Sequence, residues 1–182
     1  MVKKAKPTTI LSADRRYRYT LWREWETSNP AFVQFIGLNP STADETQDDA
    51  TVRRCMAFAK AWGFGALCMT NLFAYRSKNP KELKSCRDAV GPENDDYLKL
   101  TAASAAIIVA AWGTHGTLRN RNQEIMVRIP NLNCLGVTKH GHPRHPLRLP
   151  SGSRFHPLAS IGNQCQIFPL CGRASLHTIP AI

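Results

Sequence analysis

Acidic residues are scarce in this sequence. Its 182 residues include 13 Asp and Glu but 24 Lys and Arg, which gives a formal net charge of +11 at neutral pH. A basic surplus of this size favours polyanionic partners, because each phosphate contact releases counterions. The basic residues are spread over separate segments, so a generally basic surface without a specific partner is the alternative. We expect a nucleic acid or a nucleotide as the partner.

Sequence patterns that are typical of several other kinds of site and protein are also missing. The six cysteines show no Cys-x-x-Cys spacing, which argues against a zinc site or a disulfide framework. There is no Gly-x-x-x-x-Gly-Lys-Ser/Thr phosphate loop. No apolar run approaches the roughly 18 residues of a membrane span. The basic residues 1–14 lack the apolar core of a signal peptide. We therefore expect a cytoplasmic protein that binds no membrane.

The order of apolar segments predicts the fold class. With 43% hydrophobic and 20% charged residues, the chain has the composition of a globular protein, and its length suits one domain. Strand patterns alternate with helical ones, which predicts an α/β fold of three layers, α/β/α, around a mainly parallel sheet of four to five strands. The predicted strands are an edge strand at 17–25 and core strands at 32–37, 66–73, 106–111 and 131–137, which carry Phe35, Leu67, Ile108 and Leu135 inward.

The domain is predicted to span residues 15–150, between a basic N-terminal tail at 1–14 and an irregular C-terminal tail at 151–182. That C-terminal segment contains no Asp or Glu and shows no clear period; its one candidate strand is 164–170. We expect truncation after about residue 150 to leave the domain folded.

Polar residues follow the core strands. The first core strand runs into Gly37, Asn39, Pro40, Ser41 and Asp44. Gly37 allows another group to approach the backbone closely, and Pro40 stiffens the turn. Asn39, Ser41 and Asp44 direct polar groups into the crevice expected at the carboxyl end of this strand. The alternative is an ordinary strand-to-helix connection, in which Asn and Ser satisfy local backbone groups.

Later strands end in the same way. Asn71 ends the second core strand, Trp112 and His115 follow the third, and the loop 140–145 follows the fourth. Parallel strands place their carboxyl ends on one edge of a sheet, where ligands bind in such folds. We therefore expect Asn39, Asn71 and His145 to share a crevice, with functional atoms roughly 5–12 Å apart.

Two resemblances rest on these motifs. The segments Gly37–Asp44, Arg53–Cys55, Asn71–Ala74, Gly91–Asp95, Ala111–Gly113 and Gly141–Leu147 resemble a bacterial domain-of-unknown-function family numbered 1643, over roughly residues 15–150. In order, Gly37-Leu38-Asn39-Pro40, Thr70-Asn71, Ala111-Trp112-Gly113 and His145-Pro146 are also similar to the uracil-DNA glycosylase superfamily. The final loop departs from that superfamily, since it reads His-Pro-Leu where a serine-containing loop is usual, and no aromatic residue directly follows Pro40.

The second resemblance implies a glycosylase-like fold and a base-recognising enzyme that hydrolyses an N-glycosidic bond in nucleic acid or a nucleotide. Asn39 would position water, and Asp44 or Asp48 would accept its proton. His145 would donate a hydrogen bond to the leaving base, and Asn71 would read an amide edge.

The remaining candidate residues are expected to bind the substrate rather than to take part in the reaction. Phe73 or Trp112 would stack on the base, Asp44 and His142 would stand at the rim of the crevice, and Arg53 or Arg144 would hold a phosphate. A non-catalytic nucleotide- or DNA-binding module on the same fold is the alternative function.

A metal site is a further alternative. His140, His142 and His145 lie within six residues, and the carboxylates of Asp44, Asp48 and Asp49 could join them. Their spacing matches no standard zinc site, so the sequence predicts neither a metal nor another cofactor.

Overall fold

The computed structural model describes residues 9–158, which form an α/β structure around one mixed β-sheet. The strands are β1 (Ile10–Leu11), β2 (Arg18–Glu24), β3 (Phe32–Gly37), β4 (Ala66–Asn71), β5 (Ile107–Ala110), β6 (Asn133–Cys134) and β7 (His156–Pro157). The helices are α1 (Ala50–Ala61), α2 (Pro80–Ser85), α3 (Asn94–Ser104) and α4 (Arg121–Arg128), with 3-10 segments at Thr114–Asn120 and Pro146–Arg148.

The strand order is β1-β2-β4-β3-β5-β6-β7. The four central strands, β4, β3, β5 and β6, pair in parallel, as the sequence predicts. The sheet nevertheless has seven strands rather than four or five, because antiparallel strands extend it on both sides. The strand predicted at 17–25 is present as β2, but it is not the last strand of the sheet, since Ile10 and Leu11 pair with it.

Apolar side chains cover both faces of the sheet. On one face, α1 buries Val52, Cys55 and Phe58 against residues of β3 and β4, including Phe35 and Leu67. These positions in α1 are three residues apart, which is the spacing of a buried helical stripe. Every residue of β3 and β4 is buried because helices lie on both sides of them.

The opposite face packs against three helices. Leu83 of α2, Leu98 of α3 and Ile125 of α4 join Ile36 and Trp112 in a second core. Three of the four side chains predicted to point inward, Phe35, Leu67 and Leu135, are buried on the α1 face. The fourth, Ile108, is half-buried on the other face.

Residues after 150 contact the core. Phe155 packs edge-on against Trp62, with ring centroids 5.0 Å apart, and Trp62 Nε1 donates a hydrogen bond to the Ser153 carbonyl. Strand β7 pairs with β6, and the Leu158 N–H donates to the Leu132 carbonyl. Strands β1 and β7 thus both lie outside 15–150. The candidate strand at 164–170 lies outside the described residues.

None of the helices within residues 9–158 has the length and the apolar character that crossing a membrane requires.

We predict that truncation after Pro150 destabilises the fold, in contrast to the expectation from sequence. Compared with a chain truncated after Leu158, it loses the Phe155 contact and the pairing of β7, so its free energy of unfolding should fall by about 2 kcal/mol or more. Urea unfolding of the two truncated chains, followed by tryptophan fluorescence, measures the difference. Equal midpoints would contradict a stabilising role for residues 151–158.

Candidate functional site

A cavity of about 860 Å³ opens at the carboxyl edge of the parallel strands. The ends of β3, β4 and β5, the first residue of β2, the first turn of α1 and the loop after β6 all contribute to its wall. The residues that line it are Arg18, Gly37, Leu38, Asn39, Ser41, Asp49, Thr51, Val52, Met69, Asn71, Trp112, Gly113, Thr114, His115, Thr138, Lys139, Arg144, His145, Leu147 and Arg148. Asn39, Asn71 and His145 therefore lie around one cavity.

Asn71 occupies the deep end of the cavity and depends on Gly37. The two residues are direct partners in the pairing of β3 with β4. A methyl group on residue 37 would come within 2.8 Å of Asn71 Oδ1, so only glycine leaves room for this amide. Asn71 is 2% exposed, and its Nδ2 donates to no described group. A buried amide nitrogen without an acceptor is destabilising unless a ligand supplies one.

Asn39 has a structural role as well as a place in the cavity wall. Its Nδ2 donates hydrogen bonds to the carbonyls of Pro40 and Ser77, at 3.0 and 2.8 Å, and so holds two loops together. Both amide hydrogens are used in this way, which leaves Oδ1 as the side-chain atom available to a ligand or a water molecule.

Arg18 is a residue that sequence reasoning missed. It is 2% exposed, its Nη1 donates to the Ala43 carbonyl, and its Nε has no hydrogen-bond partner within residues 9–158. Burial lowers the pKa of Arg18 to about 10; the charge of Asp49 opposes this shift, and those of Arg76 and Arg23 add to it. Arg18 is therefore cationic at neutral pH. Because β2 runs antiparallel to β4, its first residue lies beside the carboxyl end of β4.

His145 enters the cavity as a neutral hydrogen-bond donor. Its Nδ1 accepts the Leu147 N–H at 3.4 Å, which places the ring proton of the neutral form on Nε2. Burial lowers the pKa of His145, the positive charge of Arg148 adds to this, and Asp49 opposes it. An uncharged imidazole with a free Nε2–H suits hydrogen bonding to a developing anion.

The cavity is electropositive. Four cationic side chains line it, those of Arg18, Lys139, Arg144 and Arg148, against the single carboxylate of Asp49 among the lining residues. Lys139, Arg144 and Arg148 are exposed and form the rim, whereas Arg18 is buried. The arrangement favours an anionic ligand.

Two predicted site residues with charged side chains lie outside the cavity. Asp44 does not line it; its Oδ1 accepts the backbone N–H groups of Thr46 and Gln47, both at 2.9 Å, so it shapes the turn before α1. Arg53 is exposed on α1 and donates to the Asp48 carbonyl. Asp49 lies in the cavity wall instead of Asp44, while its Oδ1 caps α1 by accepting the Val52 N–H.

The predicted stacking residues are core residues. Phe73 is completely buried and lies away from the cavity, since it follows the end of β4 into the second core. Trp112 lines the cavity but is only 2% exposed, and its Nε1 has no hydrogen-bond partner among the described residues. Gly116 lies against this indole, because a methyl group there would come within 2.1 Å of Cδ1.

The remaining predicted residues divide between the cavity and its supports. Ser41 and Arg144 line the cavity, and the Arg144 Nε donates to the Val137 carbonyl. Pro40 is buried outside it, where its carbonyl accepts the Ser77 N–H. His142 also lies outside the cavity wall, and its N–H donates to Thr138 Oγ1.

The metal alternative finds no support in residues 9–158, where no cluster of three or more His, Cys, Asp or Glu side chains has the geometry to hold an ion. His140 is exposed and, like His142, lies outside the cavity wall, so the three histidines of the loop do not converge.

Comparison with known proteins identifies the family. The model of a family described as a protein of unknown function, DUF1643, matches residues 18–147. The chain belongs to this family, which bears out the first resemblance seen in the sequence. No curated protein and no solved structure matches the chain.

Gly37→Ala should destabilise the protein through Asn71. The added methyl group would overlap the buried amide, at a cost of about 1–3 kcal/mol in the free energy of unfolding. The cost should fall markedly in an Asn71→Ala background, because the clashing oxygen is gone. A double-mutant cycle from urea unfolding measures this coupling; additive effects would show that the two side chains do not compete for space.

The free energy of unfolding should fall as the pH decreases from about 7.5 to about 5, in part through His145. Its pKa is lowered by folding, so the unfolded chain binds the proton more readily. This contribution is present above the unfolded pKa and is lost as the pH falls through the folded one. His145→Gln should show a shallower pH dependence in urea unfolding; the same slope in both proteins would contradict this assignment.

Proposed function

For this member of the DUF1643 family, we propose a base-recognising enzyme of the glycosylase type, which hydrolyses an N-glycosidic bond in nucleic acid or a nucleotide. The observation that carries the proposal is the convergence of Asn39, Asn71 and His145, from three separate strand ends, on one cationic cavity. A nucleotide has the matching chemistry, a base rich in hydrogen-bonding groups attached to an anionic backbone.

Asn71 would recognise the base. Its amide presents a donor and an acceptor side by side, which matches the amide edge of a nucleobase. Its buried Nδ2 lacks an acceptor, and a base carbonyl would supply one. Apolar contact would come from Leu38, Met69 and Leu147 of the cavity wall, because Trp112 and Phe73 do not expose their rings.

The reaction assigns a role to each remaining polar group. As the glycosidic bond breaks, its electron pair leaves with the base, positive charge develops on the sugar, and water adds to the anomeric carbon. Asn39 Oδ1 would hold that water, and the Nε2–H of His145 would donate to the departing base anion. The proton lost by the water needs an acceptor.

We assign that acceptor to Asp49 in place of Asp44. The carboxylate of Asp44 is engaged in its own turn, and Asp49 supplies the carboxylate of the cavity wall. The rim cations Lys139, Arg144 and Arg148 would hold phosphates of the substrate.

The helices on both faces of the sheet support a three-layer arrangement similar to that of uracil-DNA glycosylases as part of this proposal. A cytoplasmic location in bacteria also belongs to it. The free thiols of Cys55, Cys68, Cys86 and Cys134 are compatible with a reducing compartment.

One observation favours the second candidate, a non-catalytic nucleotide- or DNA-binding module. Asp49 Oδ1 already accepts the N–H of Val52 as the cap of α1, so this oxygen has a structural role that does not require catalysis. The same cationic cavity would then bind a nucleotide without cleaving it.

The two candidates are separated by incubating the protein with oligonucleotides and nucleotides that carry uracil, hypoxanthine or mismatched bases. Release of free base is measured by chromatography, and abasic sites by alkaline strand cleavage. An enzyme should lose activity by a factor of about 100 or more in Asn39→Ala and His145→Ala, because water placement and stabilisation of the leaving base each contribute several kcal/mol. Binding without release across the panel would favour the module.

Asp49→Asn and Asp44→Asn form a matched pair for the proton acceptor. Each keeps a side-chain oxygen for its turn or cap, but only the first neutralises a carboxylate in the cavity. Activity should therefore fall in Asp49→Asn and persist in Asp44→Asn. The reverse result would return the role to Asp44.

A further inference from the structure

The buried guanidinium of Arg18 has no counter-ion among residues 9–158. None of the ion pairs within residues 9–158 involves it, although the exposed Arg15 and the half-buried Arg23 each contact a carboxylate. The pKa of Arg18 responds to Asp49 through space, and two other arginines, Arg23 and Arg76, act against its charge. A charge of this kind is costly to bury, so its place in the wall of an open cavity calls for an explanation.

The cavity wall has an excess of buried donors. Arg18 Nε, Asn71 Nδ2 and Trp112 Nε1 belong to residues of this wall, are buried, and lack hydrogen-bond partners in the part of the chain that the structure describes. Each of these atoms donates, and none accepts. Arg18 and Asn71 belong to neighbouring strands, since β2 pairs with β4. A ligand that satisfies this region must bring acceptor atoms and, at Arg18, negative charge.

The position of Arg18 also restricts the shape of the ligand. The rim cations are exposed and can contact phosphates that stay in solvent, whereas Arg18 is reached only by a group that enters the cavity. A phosphodiester of a polymer continues in two directions and is hard to bury. A terminal phosphate has one attachment and three oxygens, which suits the guanidinium fork.

We propose that Arg18 binds the terminal phosphate of a free nucleotide inside the cavity, beside the base held at Asn71. This inference rests on the proposed function, because it concerns the same cavity, and it specifies the substrate class as a nucleoside monophosphate rather than a base within DNA or RNA.

The test uses the full chain and inorganic phosphate as the first probe, because that probe does not depend on which base the protein accepts. Isothermal titration calorimetry should show saturable binding. Arg18→Met should weaken it at least tenfold, and Arg18→Lys, which keeps the charge but loses the fork, should weaken it less. Lys81→Met, which removes an exposed charge on α2 outside the cavity wall, is the matched control and should stay within about threefold of wild type.

The second probe compares uridine 5′-monophosphate, uridine and a uracil-containing oligonucleotide. The monophosphate should bind at least tenfold more tightly than the nucleoside, a gain of about 1.4 kcal/mol that Arg18→Met abolishes. Circular dichroism checks that each variant is folded. If Arg18→Met is unfolded, the phosphate affinity of Arg18→Lys tests the proposal instead. Phosphate affinity within twofold of wild type in the folded variant, an equal loss in Lys81→Met, or tighter binding of the oligonucleotide would overturn the proposal.

The Asn71→Ala variant distinguishes a failure of this inference from a failure of the proposed function on which it rests. If base recognition at Asn71 is wrong, the variant keeps the preference of wild type for the monophosphate over inorganic phosphate, while the effect of Arg18→Met stands. If Arg18 is wrong, its variants bind phosphate as wild type does, whatever Asn71→Ala shows.

Discussion

The parallel pairing of β3 with both of its neighbours is the constraint on which the cavity depends. Ile36 is in register with Thr70 of β4 and with Ala110 of β5, so the three strands end at the same level. Their following residues therefore meet at one edge, although they are tens of positions apart in sequence. Burial on both faces fixes this register, since a shift by one residue would turn Phe35 away from its core.

Two consequences of that register shape the deep end of the cavity. Gly37 falls opposite Asn71, which leaves space for the Asn71 amide over the backbone of β3. The chain then turns at Pro40, and Asn39 fastens this turn to the loop at Ser77. The residues that line this part of the cavity thus also hold its backbone in place, so substitutions here will affect the free energy of unfolding as well as the shape of the cavity.

Much of the fold and of the candidate site could be predicted from the sequence. The features that could not be predicted were missed for physical reasons. Apolar runs that end in polar turns located the parallel strands, and parallel geometry brought Asn39, Asn71 and His145 together. Arg18 was missed because an aromatic-rich strand of unknown direction does not reveal which of its ends lies at the cavity. Asp44 and Asp48 were the predicted proton acceptors and Asp49 was missed, because the sequence does not show which carboxylate before α1 lies in the cavity wall.

The unsatisfied donors give the strongest indication of what the cavity accepts. Within the described range 9–158, Arg18 Nε and Asn71 Nδ2 are buried without acceptors, at a cost that a purely structural role does not explain. Substituting either with an apolar residue of similar size would remove that cost, as happens when buried ionic groups are replaced in other proteins. Their presence is consistent with a stability–function trade-off, in which the ligand completes the hydrogen bonding. A nucleotide carries both kinds of acceptor, a base carbonyl and a phosphate, on one molecule.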